Sequence, residues 1–380
     1  MTAPLAGIKV LEIASIGPGP FCAMILADLG AEVTREERPS VAAPTSDPPP
    51  DPLQRGRRAS IAIDLKNPAG RDVLLELAES AAVLIEGFRP GVMERLGVGP
   101  DECLGRNPQL IYGRITGWGQ AGVRATTAGH DIDYLAIAGA LYPIGDADRP
   151  PPVPLNLIAD FGGGGMLLAL GICAALVGRA EDAPGQVIDA AMVDGIALLT
   201  AMLHGMRATG MWVDERQANL LDGGAPFYRT YETADGKFVA VGAIEPQFYA
   251  ALLEGLEIEA GDLGGQYDQT CWPATTELFA TVFRSRTRDE WERIFAGTDA
   301  CVAPINDPGE AIVDPHMVQR GSFVEIDGVT QPAPAPRFSA SALPTPSLPR
   351  PPGADADRVL ADLGYPAERI TELRRTGVIV

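Results

Sequence analysis

IKVLEIASIGPGPFCAMILADLGAEVTREE, residues 8–37, is the stretch that decides the fold class. Ile8 to Ala14 is a short apolar run with one acid inside it and reads as a buried strand. The GPGP stretch at 17–20 reads as a loop, and Phe21 to Leu29 as an apolar helix that stops at Gly30. Glu32 to Glu37 resembles a second strand. Strand, glycine loop, helix, strand is the start of a parallel α/β unit. A dinucleotide site is not indicated, because the loop lacks the GxGxxG spacing and sets prolines where backbone donors would be wanted.

The same alternation continues outward. Ile61 to Leu65 predicts a strand, Asn67 a cap, Pro68 the start of an amphipathic helix over 69–80, and Ala82 to Ile85 a further strand. Residues 110–119 run as a strand into a glycine turn bearing Trp118, a candidate wall of a site or a packed surface aromatic. An apolar helix over 166–178, a strand over 186–190 and a long helix to about 209 follow. Near Trp212 the character changes: 213–224 is a polar connector, and 227–243 alternates around Asp235-Gly236 as a hairpin. Helices are expected at 246–255, 275–283, 287–296 and 357–365, a short strand and loop at 301–312, further strands within 321–340, and a proline-rich arm at 341–352.

The chain has 380 residues, beyond the size at which one core keeps growing, so two domains are expected. A formal charge of −20 argues against nonspecific binding to nucleic acid or anionic membranes, although local arginine clusters can still hold an anion. Five cysteines without a CxxC pair disfavour a disulfide scaffold and a zinc-thiolate site, which points to a reduced, cytoplasmic protein without a bound metal. The N-terminus shows no charged n-region followed by an apolar h-region, which argues against secretion. The longest apolar stretch, Met166 to Val177, is about twelve residues against the roughly 20 of a membrane span.

Candidate chemistry concentrates in residues 128–165. His130, one of three histidines, sits in a Gly-His-Asp turn, and Asp160 lies between an apolar run and a four-glycine loop at 162–165. An exposed turn would account for the first and a helix N-cap for the second. Four consecutive glycines favour a site, since they make most sense where backbone approaches a ligand. Glu245 stands before a proline that can open a helix, as a first-turn charge or as a functional acid. His204 reads as packed or interfacial and His316 as a turn residue. Arginines recur near strand ends, at 35, 38, 55, 57, 58, 89 and 95, where guanidinium forks suit phosphate oxygens. A polyphosphorylated ligand is the expected partner.

Several segments in register carry a resemblance. They are residues 5–33, the RxxRP group at 35–39, DLKNPAGRDVLLEL at 64–77, LIEGFRPGVMERLGVGP at 84–100, the pair GRITGWGQ and GHDIDY, and GQVIDAAMVDG at 185–195. Over nearly its whole length the chain resembles the α-methylacyl-CoA racemases of the CoA-transferase family III, or CaiB/BaiF family. The resemblance implies an α/β fold with a large Rossmann-like CoA-binding domain, a smaller α+β domain, and two protomers interlocked as a homodimer. The corresponding division is 1–212, a linker at 213–224, a small domain at 225–325, and a return segment at 326–380 that packs on the large domain.

The resemblance also implies roles. His130 and Asp160 match the two bases, and Glu245 matches a small-domain acid that hydrogen-bonds the histidine across the dimer. Arg38, Arg58, Ala59, Leu65, Lys66, Gly87, Arg89, Arg95 and Asp131 match positions lining the CoA site. One departure is the polar run Thr34, Glu36 and Glu37 on a strand edge close to the adenine end. The implied reaction is epimerisation at the α carbon of an acyl-CoA thioester, with one base on each face, no cofactor, and an enolate-stabilising N–H near Asp160. The alternatives are CoA transfer through an acyl-Asp160 anhydride, and a noncatalytic acyl-CoA binder.

Overall fold

The computed structural model describes residues 2–40, 53, 55, 59–179 and 183–380. Two compact units divide the chain, 1–138 with 154–199 and 321–380 in one, and 139–153 with 200–320 in the other.

In chain order the first unit contains β1 (Lys9–Ile13), α1 (Pro18–Asp28), β2 (Glu32–Glu37), β3 (Ala59–Ala62), α2 (Pro68–Ser80), β4 (Val83–Glu86), α3 (Val92–Leu96), α4 (Pro100–Arg106), β5 (Ile111–Thr116) and α5 (Asp131–Ile137). A π-helical segment, Leu157–Met166, then runs directly into α6 (Leu167–Gly178), followed by β6 (Gln186–Ala191) and α7 (Met192–Leu199). The six strands form one parallel sheet in the order β3-β2-β1-β4-β5-β6, which continues the parallel α/β unit expected from residues 8–37 and is the Rossmann-like sheet that the resemblance implied. The chain moves outward from β1 to β3 and then restarts on the other side of β1. Connections leaving β1 and β4 therefore diverge, and a crevice opens at their carboxyl ends.

One face of the sheet contributes Leu11, Ile13, Ile61, Leu84 and Tyr112 to a core that α2 closes with Val73, Leu74 and Leu77. Leu360 and Leu373, from the helices Ala356–Asp362 and Ala367–Arg375, complete it. Each such fully buried side chain contributes about 1.5–3 kcal/mol. The second of these C-terminal helices was not expected. Asp355 ties this segment to the sheet by accepting the Ser60 N–H at 3.0 Å. Residues 323–326 and 329–332 pair as a short antiparallel hairpin.

Three local readings change. First, α1 begins at Pro18, so GPGP is the start of the helix rather than a loop before it. Prolines at 18 and 20 fall in the first turn, where backbone N–H groups have no intrahelical partner to lose. Second, the glycines 162–165 are helical. A Cβ at Gly195 of α7 would lie 1.9 Å from the Gly163 carbonyl oxygen, and one at Gly165 would lie 2.8 Å from the Pro18 carbonyl oxygen. The run is thus a close backbone contact between helices, which only glycine permits. Third, the helix expected to reach about 209 breaks at Thr200, and His204 beyond the break is exposed within the chain rather than packed.

Because the glycines stay helical, Leu157–Gly178 is one continuous helix of 22 residues with mean hydropathy 1.9, not an apolar stretch of twelve. By length and composition alone it is long enough to cross a membrane, a property that core helices of water-soluble domains share. About one third of it is buried within the chain.

The second unit holds α8 (Ala201–Ala208), β7 (Tyr228–Glu232), β8 (Phe238–Gly242), α9 (Pro246–Gly255), α10 (Trp272–Phe283), α11 (Arg288–Phe295), β9 (Val302–Pro304), α12 (Pro308–Val313) and α13 (Pro315–Arg320). Its antiparallel sheet has the order β7-β8-β9 and includes the expected hairpin. His316 lies in α13, not in a turn. Aromatic rings dominate the core: Tyr231 stacks on Phe283 at 4.9 Å, and Trp291 meets Phe283 edge-on at 5.1 Å while its indole N–H donates to the Phe283 carbonyl.

Charge is buried in the first unit. Glu12 and Arg35 face each other across the β1–β2 rung with Nη1 and Oε1 2.9 Å apart, and Arg35 also meets Glu37 at 2.6 Å. Arg55 is held by Asp28 at 2.6 Å and by the Pro332 carbonyl. Glu36 is almost fully buried, and its Oε1 has no hydrogen-bond partner among the described residues. Burial, and after it the neighbouring Glu37, push its carboxyl up to about 8. The folded state therefore keeps a proton on Glu36 that the unfolded chain releases near pH 4.3. Stability from this group is present at low pH and is lost as pH rises through about 8. Glu36→Gln is expected to flatten that dependence and to stabilise the fold above pH 8, on the order of 1–3 kcal/mol. Urea unfolding of both proteins between pH 5 and 9 tests this, and parallel curves would contradict it.

Candidate active site

The crevice at the carboxyl ends of the parallel strands is a cleft of about 510 Å³. Ile16, Gly17 and Pro18 reach it from the β1–α1 connection, residues 87–90 from the end of β4, and Gly117 and Trp118 from the end of β5. His130 and Asp160 both line it, on different elements, although the segment between them belongs partly to the other unit.

His130 is the N-cap of α5 and is exposed. Its backbone N–H donates to the Asp133 carboxylate at 3.0 Å, which fixes the entry to the helix. The preceding turn is tethered by Tyr134, whose hydroxyl donates to the Gly129 carbonyl and whose ring meets Trp118 edge-on at 4.8 Å. Burial, then the Asp160 charge, push the Tyr134 hydroxyl up to about 12, so it stays a donor near neutral pH.

Asp160 lies in the first turn of the π-helical segment, not in a loop. A helix that widens to π geometry turns its side chains out of the α-helical stagger, and such segments recur at functional sites. Gly17, with φ of 68°, brings the first loop against this carboxylate: a Cβ there would lie 3.4 Å from Oδ2. The Asn156 amide donates to the same oxygen at 3.5 Å. Burial, and second the charge of Asp131, raise the Asp160 carboxyl above the usual aspartate range, while the Asn156 bond and His130 pull it down. Asn156 was not singled out from the sequence; its position four residues before Asp160, one helical turn away, is the signal that could have found it.

Asp131 is buried, with its carboxylate turned inward. Oδ2 accepts the backbone N–H groups of Ala159 and Asp160, both at 2.8 Å. The Ala159 and Asp160 amides are therefore already engaged by this carboxylate.

The remaining expected ligand residues divide. Gly87 and Arg89 line the cleft, with Arg89 exposed. Arg38 is exposed and lies over the Phe88 ring at 5.7 Å, while Lys66 and Arg95 are exposed cations. Leu65 is part of the apolar core, and Ala59 opens β3 and lines a separate cavity of about 900 Å³ reached by Lys9 and Glu32 at the amino ends of β1 and β2. Arg58, like Arg57, lies outside the described residues. Arg35 and Arg55 are consumed by internal carboxylates and are not free to meet phosphate. Glu245, in the second unit, is the exposed N-cap of α9, and its side chain makes no capping bond. Among the described residues no cluster of three His, Cys, Asp or Glu could hold a metal ion.

The electrostatics of Asp160 generate a signed expectation. Asp131→Asn removes the like charge and lowers the Asp160 carboxyl toward the ordinary range, whereas His130→Ala removes a favourable cation and raises it. Carboxyl-carbon NMR titration reads both shifts, and movement of either in the opposite direction would contradict this account.

The family model for CoA-transferase family III matches residues 5–358. The chain is 47% identical to the α-methylacyl-CoA racemase of Mus musculus over 378 residues, covering 99% of this chain and 97% of that protein. It is 45% identical to the α-methylacyl-CoA racemase of Homo sapiens, with the same coverage. The crystal structure of a CaiB/BaiF family protein from Brucella suis superposes with a TM-score of 0.78 at 27% identity, covering 96% of this chain and all of that one. The protein is an enzyme of the CoA-transferase family III.

Proposed function

We propose that the protein interconverts the R and S epimers of 2-methylacyl-CoA thioesters. The observation that carries this reading is the meeting of His130 and Asp160, from separate elements, in one cleft at the point where the sheet reverses. Near-full-length similarity to the mouse and human racemases supports the choice of substrate class.

The chemistry follows from the thioester. Its carbonyl acidifies the α C–H bond. One base takes the proton, the bonding pair passes into the carbonyl as an enolate, and the conjugate acid of the other base returns a proton to the opposite face. Two groups of different type suit this, because each must hold a proton in one direction and release it in the other. The raised Asp160 carboxyl favours the protonated form that such a donor needs. No electron acceptor or metal is consumed in this sequence.

The exposed cations Arg38, Lys66, Arg89 and Arg95 are proposed to meet the phosphates of CoA. Glu245 of one protomer is proposed to hydrogen-bond the His130 imidazole of its partner in an interlocked homodimer, which would set the histidine tautomer. Transfer of CoA between carboxylic acids through an acyl-Asp160 anhydride is the second reading, supported by the family's name. It needs Asp160 but no opposed base.

His130→Ala and Asp160→Ala are each expected to lose epimerisation by at least about 10²-fold. Residual α-proton exchange in deuterated water should favour the S substrate in Asp160→Ala and the R substrate in His130→Ala. Single-epimer substrates with chiral product analysis provide the readout. Near-normal epimerisation in either folded variant would remove that residue, and acceptor-dependent CoA transfer with acyl capture on Asp160 would establish the second reading.

Arg95→Ala is expected to raise KM about tenfold with little change in kcat, as loss of one charge-assisted contact remote from the reacting carbon. An unchanged KM with intact calorimetric CoA binding would remove Arg95 from the site. Heterodimers of His130→Ala and Glu245→Ala protomers should recover one complete site, and no recovery in confirmed heterodimers would place both residues in one chain's site.

A further inference from the structure

The two proposed bases are 30 residues apart in sequence, and much of the chain between them folds into the other unit. Continuity of the chain therefore does not hold them in register. A two-base mechanism is demanding in this respect, because both groups must address opposite faces of one carbon, and a misplacement of about 1 Å can cost 10²-fold.

We infer that Asp131 is a positioning residue that fixes the spacing of His130 and Asp160. It is joined to His130 by one peptide bond, and as the first residue of α5 it moves with that helix. Its Oδ2 accepts the N–H of Asp160 itself and of Ala159, each at 2.8 Å. The path from one base to the other is thus a peptide bond, the three bonds from Cα to Oδ2 of Asp131, and a charge-assisted hydrogen bond to the backbone of the second base. At 5% exposure Asp131 is shielded from water, which strengthens both bonds and leaves little competition for them. The pair of amides also belongs to the first turn of the π-helical segment, whose N–H groups have no intrahelical partner. Satisfying them from α5 fixes the origin of that segment as well as its distance from His130. This role differs from contact with CoA, since the carboxylate faces the helix backbone.

The inference rests on the two-base reading for its kinetic consequence, but its geometric content can be tested without it. Asp131→Ala removes the acceptor, while Asp131→Asn keeps an oxygen in its place without the charge. In Asp131→Ala, epimerisation kcat is expected to fall about 10²-fold. KM should change less than about threefold, and single-face α-proton exchange should fall at least about tenfold less than epimerisation, because only the second transfer depends on spacing. Asp131→Asn should recover at least about tenfold over Asp131→Ala. Hydrogen exchange of the Ala159 and Asp160 amides, read by NMR on the folded proteins, should accelerate by at least about tenfold in Asp131→Ala and stay near wild type in Asp131→Asn.

Unchanged amide protection in Asp131→Ala would overturn the brace. So would equal losses of exchange and epimerisation, or no recovery with asparagine. If the wild-type enzyme does not epimerise but protection is lost in Asp131→Ala, the brace stands and the racemase reading falls.

Discussion

The reversal of strand order at β1 is the constraint on which the first unit depends. A parallel sheet built outward from a central strand in both senses must leave a gap where the two sets of connections part, and no side chain from the sheet can fill it. Here the gap is bordered by the loops after β1 and β4, and Gly17, Gly87, Gly117 and Gly129 line it together with Asp160 from the longest apolar helix. Gly17 lets the first loop meet the Asp160 carboxylate, and Gly163 against Gly195 lets the π-helical segment lie backbone to backbone on α7. These contacts place the start of the segment, and with it Asp160, at the floor of the crevice. A larger residue at either of the two facing glycines would push the helices apart.

Charge in this strongly acidic chain is partitioned by burial. Arg35 and Arg55 lie within a unit whose interior also holds Glu12, Asp28, Glu36 and Glu86. Arg114 bonds Glu86 at 2.7 Å and Glu94 at 2.8 Å, a further buried guanidinium spent on internal carboxylates. Removing one member of such a pair would leave an uncompensated buried charge, at roughly 3–5 kcal/mol. Arg38, Arg89 and Arg95 are left exposed, and the Arg38 charge acts favourably on the buried Glu36 carboxylate. The polar run at Thr34, Glu36 and Glu37 is explained in part by the same economy: Glu37 is a partner of Arg35, facing the interior.

Much of the architecture was legible because it is locally encoded. Alternation of apolar strands with amphipathic helices identified β1, β2, α2, β4 and β5 within a few residues, and Asn67 caps α2 as its position before Pro68 suggested. The Asp235-Gly236 turn marked the hairpin of the second unit. His130 and Asp160 were legible as candidates, and the structure brings them to one cleft. Legibility failed where a residue's meaning depends on what lies against it. Glycine disfavours helix in isolation, so residues 162–165 read as a loop until the backbone of α7 supplies the reason for them. Arginine near a strand end reads as a phosphate ligand until Glu12 or Asp28, more than 20 residues away in sequence, is found beside it.

The sequence by itself determined the kinds of elements, their order, and the parallel α/β class, because hydrophobic period and turn chemistry act over a few residues and need no distant partner. It also supplied the chemical types at positions 130 and 160. Tertiary structure alone decided which arginines are paired with internal carboxylates, that the glycine run is helical, and that the Asp131 carboxylate spans from α5 to the amides of the π-helical segment. Each of these depends on desolvation and on contacts between segments distant along the chain, and a buried hydrogen bond or ion pair acquires its strength only once the fold has excluded water from around it.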